Sequence, residues 1–221
     1  YEMEEAKGTA TEDKARGANL VMKGGGTWAL PEGRSAEFDG ESYVAMNSSS
    51  AVITSDMDFT LEFWFNANTD ATNQTILSNG DGISNKGEDP SKLFSIGFDE
   101  TGNITFRHNG NIVAVDGKFN DNSWHNFTLA VNRSSGIARI YMDGELNTYF
   151  PAEQIGRIAS DKLFAGAHVW HEESSTDLTI DQYFTGKVDE IRLWNLYRQQ
   201  SQIESFYNQK SSGKEMGLLL Y

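Results

Sequence analysis

Apolar and polar positions alternate in short blocks along the middle of the chain, and each block ends in a turn. In "FTLEFWF" (59–65), Phe59, Leu61, Phe63 and Phe65 fall on one face, and Thr60, Glu62 and Trp64 on the other. Period two is the mark of a strand with one side against a core. "LFSIGF" (93–98) and "ITFRH" (104–108) flank Asp99-Glu100-Thr101-Gly102-Asn103 as the arms of a hairpin would. Asn109-Gly110 leads into "NIVAV" (111–115), which ends at Asp116-Gly117. "WHNFTLAVN" (124–132) is followed by Ser134-Ser135-Gly136, then "IARIYM" (137–142), then Asp143-Gly144. Turn pairs at this spacing predict antiparallel sheets packed as a sandwich. Only three prolines interrupt the chain, so the strands can run unbroken.

One helix is expected near the C terminus. Ser201-Gln202-Ile203-Glu204 has the form of a capping box, with Ile203, Phe206 and Tyr207 on one side, and the helix would close an end of the sandwich. Residues 79–92, "NGDGISNKGEDPSK", are polar and glycine-rich, and too long for a hairpin turn.

Five phrases follow one another in order: "AEFDGESYVAM", "DFTLEFWF", "WHNFTLAVN", "GIARIYMDGE" and "GKVDEIRLWN". Together they resemble the concanavalin A-like, laminin G-like and pentraxin-like jelly rolls of large bacterial surface proteins. The resemblance runs over residues 20–207. It implies an all-β jelly-roll sandwich of two antiparallel sheets, with binding loops at one rim or on the concave face. Residues 1–221 then read as a single laminin G-like domain with one short C-terminal helix. Related tandem modules open on a phrase that "GLLLY" (217–221) joined to "YEMEEAKG" (1–8) resembles. Residues 218–221 are therefore expected either to begin a following repeat or to pair with the first strand.

Composition narrows the function. The net charge is −14, and a nucleic-acid binder needs a basic face to displace counterions, which argues against that class. There is no cysteine, so disulfides, thiolate zinc sites and a cysteine nucleophile are excluded. An animal extracellular domain would usually carry disulfides, so a bacterial envelope or extracellular protein is expected. No apolar run approaches a membrane span. The first residue is Tyr1, which suggests a piece of a longer chain.

The stretch "AGAHVWHEESSTDLTID" (165–181) departs from the strand-and-turn pattern and collects the candidate chemistry. Glycoside hydrolysis needs two carboxylates flanking the bond, which a strand supplies at i, i+2 or i+4. Glu62 stands alone in its strand, and Asp189 and Glu190 are adjacent and so expected on opposite faces. Asp177 and Asp181 are four apart but read as lying in a loop. His108 and His125 lie in strand-like runs and read as half-buried structural residues. The chain is therefore expected not to be an enzyme.

Two calcium sites are conceivable. Asp39 and Asp189, in "FDG" and "VDEIRLW", could join an early strand to a late one through a hard cation. The second rests on the pentraxin resemblance, which implies an acidic loop just before the "GKVDEIRLW" strand. Here Glu172, Glu173 and Asp177 take that place, with Asn79 and Asp81 in the earlier loop. Zinc fits less well, because His168 and His171 would face opposite sides of an extended segment.

The leading expectation is a non-catalytic binding module for a glycan or a cell-surface protein. Sugar sites pair a flat aromatic with several hydrogen-bonding groups. Trp170 with His168, His171, Glu173 and Asn79 has those ingredients, and Trp28 and Tyr43 are alternative aromatics. A spacer or adhesion repeat without a small-molecule site is the competing reading, and a hydrolase the third.

Overall fold

The computed structural model describes residues 10–12, 19–28, 35–47, 52–53, 56–79, 94–108, 110–155, 158–159, 163–171 and 177–220. The alternating blocks become strands where their period predicts them. One sheet runs, in spatial order, β1 (Ala10–Glu12), β2 (Asn19–Lys23), β5 (Tyr43–Asn47), β16 (Leu163–Ala165), β8 (Gln74–Asn79), β9 (Phe94–Phe98), β10 (Ile104–His108) and β11 (Asn111–Ala114). The other runs β14 (Glu145–Pro151), β13 (Ile137–Met142), β12 (Trp124–Asn132), β7 (Phe59–Ala67), β19 (Thr185–Trp194), β4 (Ala36–Asp39) and β3 (Thr27–Trp28). A short strand, β20 (Leu218–Leu220), also pairs with β19. Two small pairs lie outside these sheets among the described residues: β6 (Val52–Ile53) with β15 (Ile158–Ala159), and β17 (His168–His171) with β18 (Leu178–Asp181).

The core lies between the two large sheets. Phe59, Leu61, Phe63 and Phe65 of β7 are fully buried, as their alternation predicts, and Phe63 stacks on Phe127 of β12 at 5.3 Å. Across from them, Leu77, Ile96 and Phe106 share one register on β8, β9 and β10. Burying one large apolar side chain is worth about 1.5–3 kcal/mol, so this double layer carries the fold.

Part of the outer face of the second sheet is shielded from water. The helix α1 (Gln200–Phe206) lies over it, with Ile203 packed on Ala130 and Tyr141. The expected helix is present, but it covers a sheet face instead of closing an end. Its cap also differs. Gln199 is the N-cap, its N–H donating to Gln202 Oε1 at 2.9 Å, so the box sits two residues before the Ser201–Glu204 pattern. Glutamine at both positions supplies the same reciprocal bonds that Ser and Glu would. Ile203 is buried and Tyr207 stacks on Trp64 at 5.9 Å, whereas Phe206 stays 47% exposed.

The C-terminal apolar run is a strand of this same sheet. Leu220 pairs with Leu193 and Leu218 with Trp194, both on β19, and Leu219 and Leu220 join the main core. Among the described residues its partner is β19, and β1 pairs with β2.

Candidate ligand-binding site

Gly166 starts the feature that matters. Its φ of +89° favours glycine, and a Cβ there would stand 2.3 Å from the Phe38 ring. The turn directs the chain out of β16 and into the β17–β18 hairpin. Gly166 N–H donates to the Ile76 carbonyl at 2.8 Å and Phe184 N–H to the Gly166 carbonyl at 2.9 Å, which ties the hairpin's entry to its exit. Thr75 holds the exit again: its N–H donates to the Gln182 carbonyl at 2.8 Å, and its hydroxyl bonds Gln182 Oε1 at 3.0 Å.

The hairpin rests on the outer face of the first sheet. Ser78 of β8 is the anchor: its hydroxyl donates to the Ala167 carbonyl at 2.8 Å and accepts the Val169 N–H at 3.3 Å. Val169 is buried against the sheet. Side chains alternate along a strand, so His168 and Trp170 face the other way, outward.

There they meet Asp181. His168 is the direct cross-strand partner of Asp181, and its Nδ1 lies 2.9 Å from Asp181 Oδ1. Trp170 Nε1 donates to Asp181 Oδ2 at 3.3 Å. One carboxylate therefore fixes both rings. Nδ1 faces an acceptor, so in the neutral imidazole the proton sits there and Nε2 is left as an acceptor for something outside. Trp170 is half-buried; the His168 side chain is 20% and that of Asp181 48% exposed. Thr179 is exposed directly across from Trp170, and Leu178 is exposed at the far end of β18. The result is an aromatic ring held by its edge, flanked by polar groups, on a raised and outward-facing hairpin.

The sequence-predicted residues divide around this geometry. Trp170 and His168 come together. His171 lies on β17 opposite Leu178. Asp81, Glu172 and Glu173 lie outside the described residues, and Asp177 is exposed at the start of the second arm. Asn79 is not beside Trp170. It ends β8 in register with Leu163 and Phe94, both buried between the sheets, and is itself 1% exposed. Its neighbour Ser78 is the residue under the hairpin, because one step along a strand reverses the face. Of the alternative aromatics, Tyr43 is half-buried against Phe164, where burial and then the nearby Tyr183 push its phenol up, and Trp28 lies on β3 opposite Ala36.

Asp181 is the member that sequence reasoning did not select. "DLTID" reads as loop, but Leu178–Asp181 is a strand paired residue for residue with "HVWH". The available signal was the alternation in both tetrapeptides, which places the aspartate opposite a histidine once they are folded on each other.

Asp39 and Asp189 do not share a site. Asp39 is opposite Thr185, so Asp189 lies four residues further along β19, about 13 Å away at strand spacing. Asp39 Oδ1 accepts the Glu41 N–H at 3.0 Å, and this bond, with the Ser42 hydroxyl, holds its carboxyl below the usual range. Burial, and then the charge of Glu190, push Asp189 up to about 7. Among the described residues, no three His, Asp or Glu side chains converge on a metal position.

The carboxylates of β7 and β19 form a different kind of cluster. Glu62 Oε1 accepts from Arg192 at 3.1 Å, Trp194 Nε1 at 3.2 Å and Arg198 at 3.4 Å. Arg192 also pairs closely with Glu190. A register shift between Asp189 and Arg192, with Glu190 at φ +52°, breaks the alternation. Glu190 thereby reaches Arg192 on the outer face, where Asp189 lies opposite Trp64, so the two acids do not point to opposite faces as expected. This is a buried, ion-paired network. His108 is likewise buried, beside Phe106, and His125 is held between Asp143 at 2.8 Å and Asp121 at 3.1 Å.

A family model described as the concanavalin A-like lectin/glucanases superfamily matches residues 38–204. A non-toxic nonhemagglutinin of Paraclostridium bifermentans is 26% identical over 164 residues, which is 68% of this chain but 14% of that protein's length. Among solved structures, the binding domain of Paraclostridial Mosquitocidal Protein 1 aligns over 87% of this chain and 47% of its own, with a TM-score of 0.60 at 16% identity. Domain 4 of AbnA, an extracellular arabinanase from Geobacillus stearothermophilus solved with arabinotriose, aligns over 84% of this chain and 86% of its own, with a TM-score of 0.59 at 15% identity.

Proposed function

The chain belongs to the concanavalin A-like lectin/glucanase superfamily, and we propose that it is a non-catalytic module that binds a glycan through the outer face of the β17–β18 hairpin. The observation that carries this reading is the Asp181 carboxylate, which holds the Trp170 indole by its N–H and the His168 ring by Nδ1. A ring fixed at its edge presents its face without losing further freedom on binding, which is how a preordered aromatic gains affinity. The indole covers the apolar side of a sugar, while His168 Nε2, Thr179 and the exposed part of Asp181 supply hydrogen-bonding partners.

The similar proteins fit this class of role. One is the binding domain of a mosquitocidal protein, and another is a domain of an extracellular arabinanase seen with arabinotriose. The same company supports placing this module on a secreted or surface-held bacterial protein.

The test is affinity electrophoresis in gels containing soluble arabinan, xylan or β-glucan, comparing wild type with Trp170→Ala and Asp181→Asn. Retardation of wild type, clearly reduced with Trp170→Ala and more weakly with Asp181→Asn, is expected. Equal retardation of all three would remove the hairpin as the site.

A further inference from the structure

The outer face of the second sheet is covered only in part. The helix α1 and the segments on either side of it roof the rows that pass through Thr60 and Glu62, and Tyr207 stacks on Trp64. The next row is more accessible, with Trp124, Glu37 and Thr27 exposed and Asn66 and Lys187 half-buried. Trp124 on β12 pairs with Asn66 on β7, Asn66 with Lys187 on β19, Lys187 with Glu37 on β4, and Glu37 with Thr27 on β3. Direct cross-strand partners project to the same face. The flanking Phe65, Ala67, Val188, Ala36 and Phe38 are buried, so this row faces outward.

We propose that this row is a second carbohydrate-binding ledge that takes a neutral oligosaccharide laid across the strands. Trp124 is 41% exposed and gives a flat apolar surface at one end. Asn66 Nδ2 donates to the Asn122 carbonyl at 2.8 Å, which fixes the amide and leaves its oxygen to accept a hydroxyl. Lys187 adds a donor, and the exposed Glu37 and Thr27 add further partners. Among the described residues no ion pair ties Lys187 to Glu37, so both heads remain for a ligand. Five strands at a spacing of about 4.8 Å span about 19 Å, the reach of a short chain and not of one sugar. One lysine and one glutamate make the row neutral, and the rest of the molecule, at −14, would repel an anionic glycan. The ledge lies on a different sheet from the β17–β18 hairpin and shares no residue with it.

The tryptophan indole N–H signals, one from each of five residues, give a direct readout by two-dimensional NMR. The intact chain is titrated with arabino-, xylo- and cello-oligosaccharides of increasing length, first as wild type and then as Trp170→Ala. The signal assigned by its loss in Trp124→Ala should move with short chains but not with monosaccharides, in both backgrounds. Lys187→Ala should weaken that binding by roughly tenfold with an unchanged thermal midpoint, since the side chain is at the surface. A Trp124 signal that stays still with all three sugar families overturns the ledge. So does one that moves only when Trp170 is intact, or equally with monosaccharide. Loss of binding at the hairpin alone leaves the Trp124 result standing, so the two sites fail separately.

Discussion

Asp181 and Trp170 lie diagonally across a two-stranded hairpin, with the carboxylate Oδ2 3.3 Å from the indole Nε1. The same carboxylate takes His168 on its other oxygen at 2.9 Å. Removing it frees two rings at once. Asp181→Leu should therefore weaken glycan binding by roughly tenfold, about 1.4 kcal/mol, although it deletes no aromatic contact. Because Asp181 is 48% exposed, the cost to folding should stay within about 1 kcal/mol. Urea unfolding run beside a binding titration separates the two effects, and a large loss of stability with binding intact would contradict the positioning role.

Gly166→Ala should act on folding. The substitution forces a side chain into a φ of +89° and against Phe38 at 2.3 Å, two separate penalties. A loss of about 2 kcal/mol or more is expected in the denaturant midpoint. Gly110→Ala is the control: φ is also positive, at +73°, but nothing lies within 4 Å, so it should cost less.

Glu62→Gln should be more costly than a surface charge change. Glu62 is 1% exposed and its Oε1 takes Arg192, Arg198 and Trp194. Neutralising it leaves guanidinium charge under α1 with less compensation, for which about 3–5 kcal/mol is typical. Equilibrium unfolding checks this, and a change below about 1 kcal/mol would show the network to be wetter than its burial indicates.

Asp189 gives the stability a pH dependence of definite sign. Its folded carboxyl is raised to about 7, above the ordinary 3.8, by burial and then by Glu190. The folded state thus holds a proton that the unfolded chain has released, and stability from this group is lost as pH rises from about 4 through about 7. Asp189→Asn should melt higher than wild type at pH 8, by at least about 2 °C for a chain of this size, and alike near pH 4. A constant difference between the two proteins across that range would refute the assignment.

Much of the architecture was legible because it is local. Phe59, Leu61, Phe63 and Phe65 announce a strand face by spacing alone, and the Gly, Asn and Asp turns mark where each strand stops. The helix at Ile203 was equally plain, although its cap lay at Gln199 and Gln202, where side-chain amides replace the usual Ser and Glu. The candidate site was half legible. Trp170 and His168 stand out in "AHVWHEE", whereas Asp181 gains its role only when β18 folds back on β17. Asn79 was misplaced by one residue, and that step exchanges the interior for the face under the hairpin.

Period, turn chemistry and charge act over a few neighbouring residues, so the central core strands, their turns, the helix at Ile203 and the acidic, cysteine-free composition are readable from the chain alone. Which polar groups meet is set by long-range packing. Ser78 beneath Val169, Asp181 on Trp170, the shifted register that turns Glu190 toward Arg192, and the row from Trp124 to Thr27 all depend on pairing between distant segments. Register across a sheet is set by the sum of many long-range contacts, and one bulge or one step of slip changes the face every side chain presents.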